Sequence, residues 1–143
     1  MKLEDQVCTF EQSLKLAELG VALPTTFYWS AKGKDRSDPA AFKLTIKEEN
    51  DETADTCYSA FTTAELGILL PYELNLEDED LYIQGTIGNR RGEFYYIWFQ
   101  SSLDNVEWEF FPAIERDTEA QARADALIWL IENEFVRVAD LSI

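Results

Sequence analysis

The sequence predicts an α+β fold: an antiparallel sheet of about four to six strands, with an N-terminal helix, a short middle helix and a C-terminal helix packed on it. Two observations carry this prediction. Residues 118–133 have the apolar spacing of a helix, and residues 81–111 are rich in aromatic side chains that alternate as in strands. The chain of 143 residues has the length of one domain, so we expect a single domain over residues 1–143.

The C-terminal helix is the clearest element and is expected over residues 118–133. Thr118 is its predicted N-cap, because Gln121 follows at the spacing of a capping box. Its core face is predicted to be Ala120, Ala124, Leu127, Ile128 and Ile131. Trp129 falls on the opposite face, beside Ala122 and Ala126. A large ring on a platform of small residues predicts an interface at these three positions, and the alternative is that a loop covers Trp129.

The N-terminal helix is expected over residues 10–19. Thr9 and Gln12 have the spacing of a capping box at its start, and Gly20 is its predicted end. Its buried stripe is predicted to be Phe10, Leu14 and Ala17.

Two strands are predicted between this helix and the middle helix. Residues 26–31 are dense in aromatic side chains, and apolar and polar residues alternate over residues 42–46. Residues 32–38 and 48–55 are predicted loops. The second loop is acidic, but it lacks the spacing and the central glycine of a calcium-binding EF-hand, so no metal site is predicted there.

The middle helix is short and begins after Thr62, which has the capping-box spacing with Glu65. Pro71 ends it. Its predicted buried face is Leu66, Leu69 and Leu70. Gly67 lowers the helix propensity by about 1 kcal/mol relative to alanine, so we expect a close contact with its backbone.

The aromatic strands follow. Residues 81–87 and 94–99 predict a hairpin, and residues 106–110 predict a third strand that pairs with it. In the second strand, alternation places Tyr96 and Trp98 on one face, while the other face is also apolar. Such a strand is either covered on both sides or meets a partner on one side. Tyr96 and Trp98 are therefore candidate interface residues.

The charge distribution restricts the partners that the chain can bind. The net charge is −16, and all of it lies after residue 46, because residues 1–46 contain six acidic and six basic residues. An acidic surface repels phosphate groups, so direct binding to nucleic acid or to an anionic membrane is not expected. The N-terminus lacks the apolar run of a signal peptide, and no apolar run reaches the length of a membrane span. We therefore expect a cytoplasmic location.

The sequence contains no motif of a known catalytic chemistry. Histidine is absent, and the cysteines Cys8 and Cys57 stand far apart, which predicts buried structural thiols. The glycine-containing segment 85–92 lacks the phosphate-binding patterns, and Glu93 interrupts what would otherwise be similar to an RNA-binding aromatic strand. We therefore predict no enzyme activity, no catalytic residue, no cofactor and no metal.

Three blocks of the sequence resemble a family of small proteins from phages, prophages and other mobile elements of gut bacteria. The blocks are KLEDQVCTFEQSLKLAELGV followed by FYW, then YSAFTTAELGILLP, and finally TEAQARADALIWLIEN. The family has no assigned function, so the resemblance implies a mobile-element protein made in a bacterium and assigns no functional residue.

These observations lead to three functional hypotheses. The first is a non-enzymatic phage or mobile-element protein that acts by protein–protein contact, with a host protein, a phage protein or a second copy of the chain as its partner. The alternative is an acidic DNA mimic, whose carboxylates would occupy the DNA site of a host DNA-binding or restriction enzyme. The third is a small metal-dependent hydrolase that uses paired carboxylates.

Overall fold

A computed structural model describes residues 2–31, 39–46, 56–75, 81–88, 94–112 and 114–143. In these residues the helices are α1 (Phe10–Glu18), α2 (Thr63–Leu69) and α3 (Glu119–Glu132), and short 3-10 turns occur at Leu3–Gln6, Pro39–Ala41 and Val138–Asp140. The strands are β1 (Phe27–Ala31), β2 (Lys43–Ile46), β3 (Thr56–Ser59), β4 (Glu73–Asn75), β5 (Leu81–Gly88), β6 (Tyr95–Ser101) and β7 (Ile114–Arg116).

The strands form two antiparallel sheets, one of three strands in the order β2-β1-β3 and one of four in the order β4-β5-β6-β7. α3 packs on β6 and β7, while α1 packs on both α3 and β3. α1 and α3 therefore lie between the two sheets, as in a layered fold, and α2 packs on α3. The α+β class, the antiparallel pairing and the three helices are confirmed.

The loops predicted over residues 32–38 and 48–55 lie outside the described residues, as does most of the turn between β5 and β6. Within the described ranges, no helix combines the length and the apolar character needed to cross a membrane.

α3 is buried around most of its circumference. Its buried residues are Ala120, Ala122, Ala124, Ala126, Leu127 and Leu130. The predicted core face is confirmed at Ala120, Ala124 and Leu127, whereas Ile128 and Ile131 are only half-buried. The prediction that Ala122 and Ala126 form an exposed platform is wrong, because both are fully buried. The error arose because α3 is covered on several sides, by the sheet and by the two other helices, and not on a single face.

α1 begins with the predicted capping box between Thr9 and Gln12. Its buried residues are Gln12, Ser13 and Leu16, so the predicted buried stripe of Phe10, Leu14 and Ala17 is wrong; those three are half-buried. Gln12 is buried because its side-chain amide donates to the Gln121 carbonyl oxygen at 2.9 Å and to Asp125 Oδ1 at 2.6 Å. A buried polar group that is hydrogen-bonded does not incur the full cost of desolvation.

α2 matches its predicted boundaries and capping box, and Leu66, Leu69 and Leu70 are buried as predicted. The expected close contact at Gly67 is made by a side chain of α3. The Arg123 guanidinium occupies the space that a Cβ at this position would need. Arg123 Nη1 donates to the Thr63 carbonyl oxygen at 3.1 Å, and Nη2 donates to Glu119 Oε1 at 2.9 Å.

The third strand predicted over residues 106–110 is replaced by an irregular segment. The Asn105 amide donates to the Ser101 carbonyl oxygen at 2.9 Å, and Asn105 has a φ of 59°, so the chain turns sharply after β6. Only one isolated bridge, between Gln100 and Glu107, continues the pairing, and β7 supplies the third strand beside β6 instead. In this segment the side chain of Trp108 is buried.

The two cysteines differ in exposure. Cys8 is fully buried and lies 3.2 Å from the Ser13 hydroxyl, whereas Cys57 is exposed, so the prediction of two buried thiols is wrong for Cys57. Burial raises the pKa of the Cys8 thiol above its ordinary value.

Replacing Leu127 by alanine tests the packing of α3. Because the side chain is fully buried, we expect Leu127→Ala to lower the free energy of unfolding by about 2–5 kcal/mol, as for other buried leucines. Gln121→Ala, on the half-buried side of the same helix, is the control and should cost far less. Denaturant melts of the two variants measure the difference, and equal losses would contradict this arrangement of α3.

The buried Cys8 thiol predicts a loss of stability at alkaline pH. Its pKa is higher in the folded chain than the ordinary value of 9.0, so the unfolded chain loses this proton first as the pH rises. The contribution is therefore complete below that value and is lost above it. We expect the free energy of unfolding to fall less between neutral and alkaline pH in Cys8→Ala than in the wild type. Parallel pH dependences of the two proteins would contradict this.

Candidate binding surfaces

β6 has one covered face and one open face. Ile97 and Phe99 point towards α3 and are fully buried, while Tyr96 and Trp98 point the other way and are half-buried. The predicted alternation of the strand is therefore confirmed. α3 packs on the inner face, whereas the side chains of the outer face are half-buried and so keep part of their contact with solvent.

The rings on the outer face are held in defined positions. We use the name aromatic face for Phe94, Tyr96 and Trp98 together with Glu107 and Glu115. The Phe94 and Tyr96 rings meet edge to face, with centroids 5.9 Å apart and an interplanar angle of 80°. Trp98 Nε1 donates to Gln100 Oε1 at 2.9 Å.

The Trp98 indole lies flat across β5, over its register partner Gly85. A Cβ at Gly85 would overlap the six-membered ring and the nitrogen of the indole, so the indole depends on a glycine at this position. The hydrogen bond to Gln100 fixes the Nε1 edge of the indole, and the contact with Gly85 fixes one of its flat sides. The side chain as a whole is half-buried.

Two carboxylates lie along the same edge of β6. Glu115 of β7 is the register partner of Tyr96, and Glu107 is the bridge partner of Gln100. The charge of Glu115 raises the pKa of Tyr96, and a hydrogen bond to Glu115 and the more distant charge of Glu107 act in the same direction. The phenol is therefore held in its neutral form next to Glu115 and Glu107, and we call these two carboxylates the negative rim.

A second feature is a groove along the accessible stripe of α3, which we call the α3 groove. The stripe has the spacing i, i+3, i+4, i+7 and consists of Asp125, Ile128, Trp129 and Glu132. One depression, of about 270 Å³, also contains Pro112 and Ile114, and a second, of about 470 Å³, reaches Arg116 and the first turns of α1. Both depressions share Ile128 as part of their floor.

Trp129 lies between the α3 groove and three other aromatic rings, those of Trp108, Phe111 and Phe135. Its ring stacks on Phe135, with centroids 5.6 Å apart, and meets the edges of Trp108 at 5.6 Å and Phe111 at 5.1 Å. The segment after β6 therefore covers one side of Trp129, as the alternative prediction stated. Its neighbours in the groove are Pro112, Ile114 and Ile128, and not Ala122 and Ala126. A homodimer through Trp129 remains a prediction.

The cations of the α3 groove already have carboxylate partners. Arg116 Nη1 lies 3.0 Å from Asp125 Oδ2, and Lys15 Nζ lies 3.9 Å from Glu132 Oε2. Both pairs are partly exposed, so each contributes little to stability. Glu11, on α1, adds a further carboxylate to the lining, and the groove is therefore slightly acidic.

Sequence reasoning found Tyr96, Trp98 and Trp129 but missed their surroundings. Glu107, Glu115 and Gly85 come to the aromatic face only through strand register, and no local signal in the sequence fixes that register.

Among the described residues, no group of three or more cysteine, aspartate or glutamate side chains is arranged to hold a metal ion. No protein-family model matches the chain, and neither curated proteins nor solved structures show a significant match to it.

Removing the negative rim should lower the pKa of Tyr96. The tyrosinate form is disfavoured mainly by the charge of Glu115, so Glu115→Gln should move the titration of Tyr96 to lower pH. Glu18→Gln, on the exposed end of α1, is the control and should leave it unchanged. The ring chemical shift of Tyr96 followed by NMR measures the titration, and an unchanged or higher pKa in Glu115→Gln would contradict the assignment.

Proposed function

We propose that this protein is a non-enzymatic binding protein of a phage or mobile element, which contacts a partner protein through the aromatic face. The observation that carries the proposal is the pair of half-buried rings, Tyr96 and Trp98, on the open side of a sheet strand beside two glutamates. Tryptophan and tyrosine are the residue types most enriched at the energetic centres of protein interfaces.

The fixed geometry of the rings favours binding. Association costs free energy when side chains must be ordered, and that cost is smaller for rings that are already held in place. Trp98 is held by Gly85 and Gln100, and Tyr96 by Phe94 and Glu115. The aromatic face therefore presents a flat surface that loses little side-chain freedom when a partner covers it.

The negative rim specifies the charge of the partner. A carboxylate that is covered without a cation loses hydration that nothing replaces, so a partner that covers Glu107 and Glu115 must supply positive charge. A lysine or arginine of the partner would also pack on the Trp98 indole, on the side opposite Gly85, through a cation–π contact. The net charge of −16 speeds the approach of a basic protein. The partner is thus expected to offer a basic surface.

The DNA-mimic hypothesis requires the same kind of partner surface. The DNA site of a host enzyme is basic, and the carboxylates of Glu115 and Glu107 are the groups that would imitate phosphates there. They stand opposite Tyr96 and Gln100, which are about 13 Å apart along β6 at 3.3 Å per residue. Competition separates the two hypotheses: a mimic is displaced from its partner by double-stranded DNA, whereas a binding protein with another target is not.

The test is capture of a partner from the lysate of a bacterium that carries the element, followed by titration of the isolated pair. We expect Trp98→Ala to weaken the binding at least about tenfold, which corresponds to 1.4 kcal/mol. Ile68→Ala, which removes an exposed apolar side chain from α2, is the matched control and should bind as the wild type does. Added salt should weaken the complex.

Equal binding by wild type, Trp98→Ala and Tyr96→Ala would contradict the proposal. Binding that strengthens with added salt would contradict the assignment of a basic partner. Thermal melts of each variant show whether a loss of binding arises from the surface or from unfolding.

A further inference from the structure

The outer edge of β7 has no strand partner among the described residues. β7 is the last strand of its sheet, and in the described ranges no strand pairs with its second edge. The hydrogen bonds around the Gln100–Glu107 bridge run from the Ser101 amide to the Val106 carbonyl oxygen and from the Trp108 amide to the Phe99 carbonyl oxygen. The odd-numbered residues of β6 therefore direct their backbone N–H and C=O groups towards the edge of β6 that β7 occupies, and the even-numbered residues direct theirs towards β5.

The same alternation fixes which backbone groups of β7 are paired. Ile114 and Arg116 stand opposite odd-numbered residues of β6, so they exchange hydrogen bonds with β6. Glu115 stands between them, and its N–H and C=O therefore point to the open edge. An extended chain beside β7 would find one donor and one acceptor there.

The α3 groove runs next to this edge. Ile114 and Arg116 line it on the sheet side, and the accessible stripe of α3 forms its floor. From Asp125 to Glu132 the stripe is about 10 Å long at 1.5 Å per residue. That length matches about three residues of an extended strand at 3.3 Å per residue.

We propose that the α3 groove binds an extended peptide segment of a partner protein, which adds as a strand to the open edge of β7. The backbone of the peptide would exchange hydrogen bonds with Glu115, and every second side chain would point into the groove. This site shares Glu115 with the aromatic face, but it uses the backbone of Glu115 and not its carboxylate, and it does not depend on the function proposed for that face.

The lining of the groove specifies the side chains of the peptide. Ile128 and the accessible part of Trp129 form an apolar floor, so one inward side chain is apolar. Lys15 and Arg116 are already paired with Glu132 and Asp125, which leaves Glu11 as the additional charge of the lining. The peptide is therefore expected to carry a lysine or arginine close to the apolar residue.

A displayed library of random short peptides, selected on the folded wild-type protein, tests the proposal. Enriched peptides should combine an apolar residue with a basic one, and a synthetic copy should be titrated against variants. Glu115→Pro removes the outward N–H while the bonds of Ile114 and Arg116 to β6 remain, and proline is tolerated at such an edge position. Glu115→Ala is its matched control, because it removes the same carboxylate and retains the N–H.

We expect Glu115→Pro and Ile128→Asp each to weaken the binding of the peptide at least about tenfold. Ile68→Ala should bind as the wild type does, Glu115→Ala should bind at least about tenfold more tightly than Glu115→Pro, and the Glu115 amide should become protected from hydrogen exchange in the complex. Thermal melts establish that the variants fold. Any one of three outcomes would overturn the proposal. They are that no peptide is enriched, that Glu115→Pro and Glu115→Ala bind the peptide with equal affinity, or that the Glu115 amide stays unprotected in the complex. Loss of binding in Trp98→Ala but not in Ile128→Asp would assign the peptide to the aromatic face instead.

Discussion

The burial of α3 between the four-stranded sheet and the other two helices is the contact on which the rest of the structure depends. Four alanines on α3 are fully buried, so its backbone can approach its neighbours closely on more than one side. Leu127 and Leu130 fill the remaining space in the core. A helix with large residues at the alanine positions would hold the sheet and α1 apart, because protein interiors have little free volume.

Polar contacts fix the orientation of these layers. Gln12 of α1 reaches both the backbone and a side chain of α3, and Arg123 of α3 reaches the first turn of α2. The Cys8 amide donates to the Phe61 carbonyl oxygen at 3.0 Å, which joins the N-terminal segment to the start of α2. Residues 2–21, 58–71 and 118–133 therefore meet in one place. Apolar packing alone is not directional, whereas these hydrogen bonds accept only one arrangement.

The sequence predicted what local chemistry determines and failed where tertiary contact decides. The capping boxes of α1 and α2 were predicted, because a threonine and a residue three positions later form the cap between themselves. The buried face of α1 was not, because the burial of Gln12 depends on a carbonyl of α3 more than a hundred positions away. At the candidate surfaces, alternation placed Tyr96 and Trp98 correctly, since side-chain direction within a strand has a period of two. The glutamates beside them depend on register, which the sequence does not show.

The distribution of ion pairs explains why the two surfaces differ in charge. In the described part of the chain, the salt bridges join Lys15, Arg116 and Arg123 to three carboxylates, and all three carboxylates belong to α3. The cations are thus gathered around α3, and the α3 groove is only slightly acidic. Glu107 and Glu115 have no cation partner among the described residues. With 28 acidic and 12 basic residues, more than half of the carboxylates of the chain cannot have a cation of their own. Positive charge of this kind is therefore lacking at the aromatic face among the described residues, and the partner that we propose would supply it.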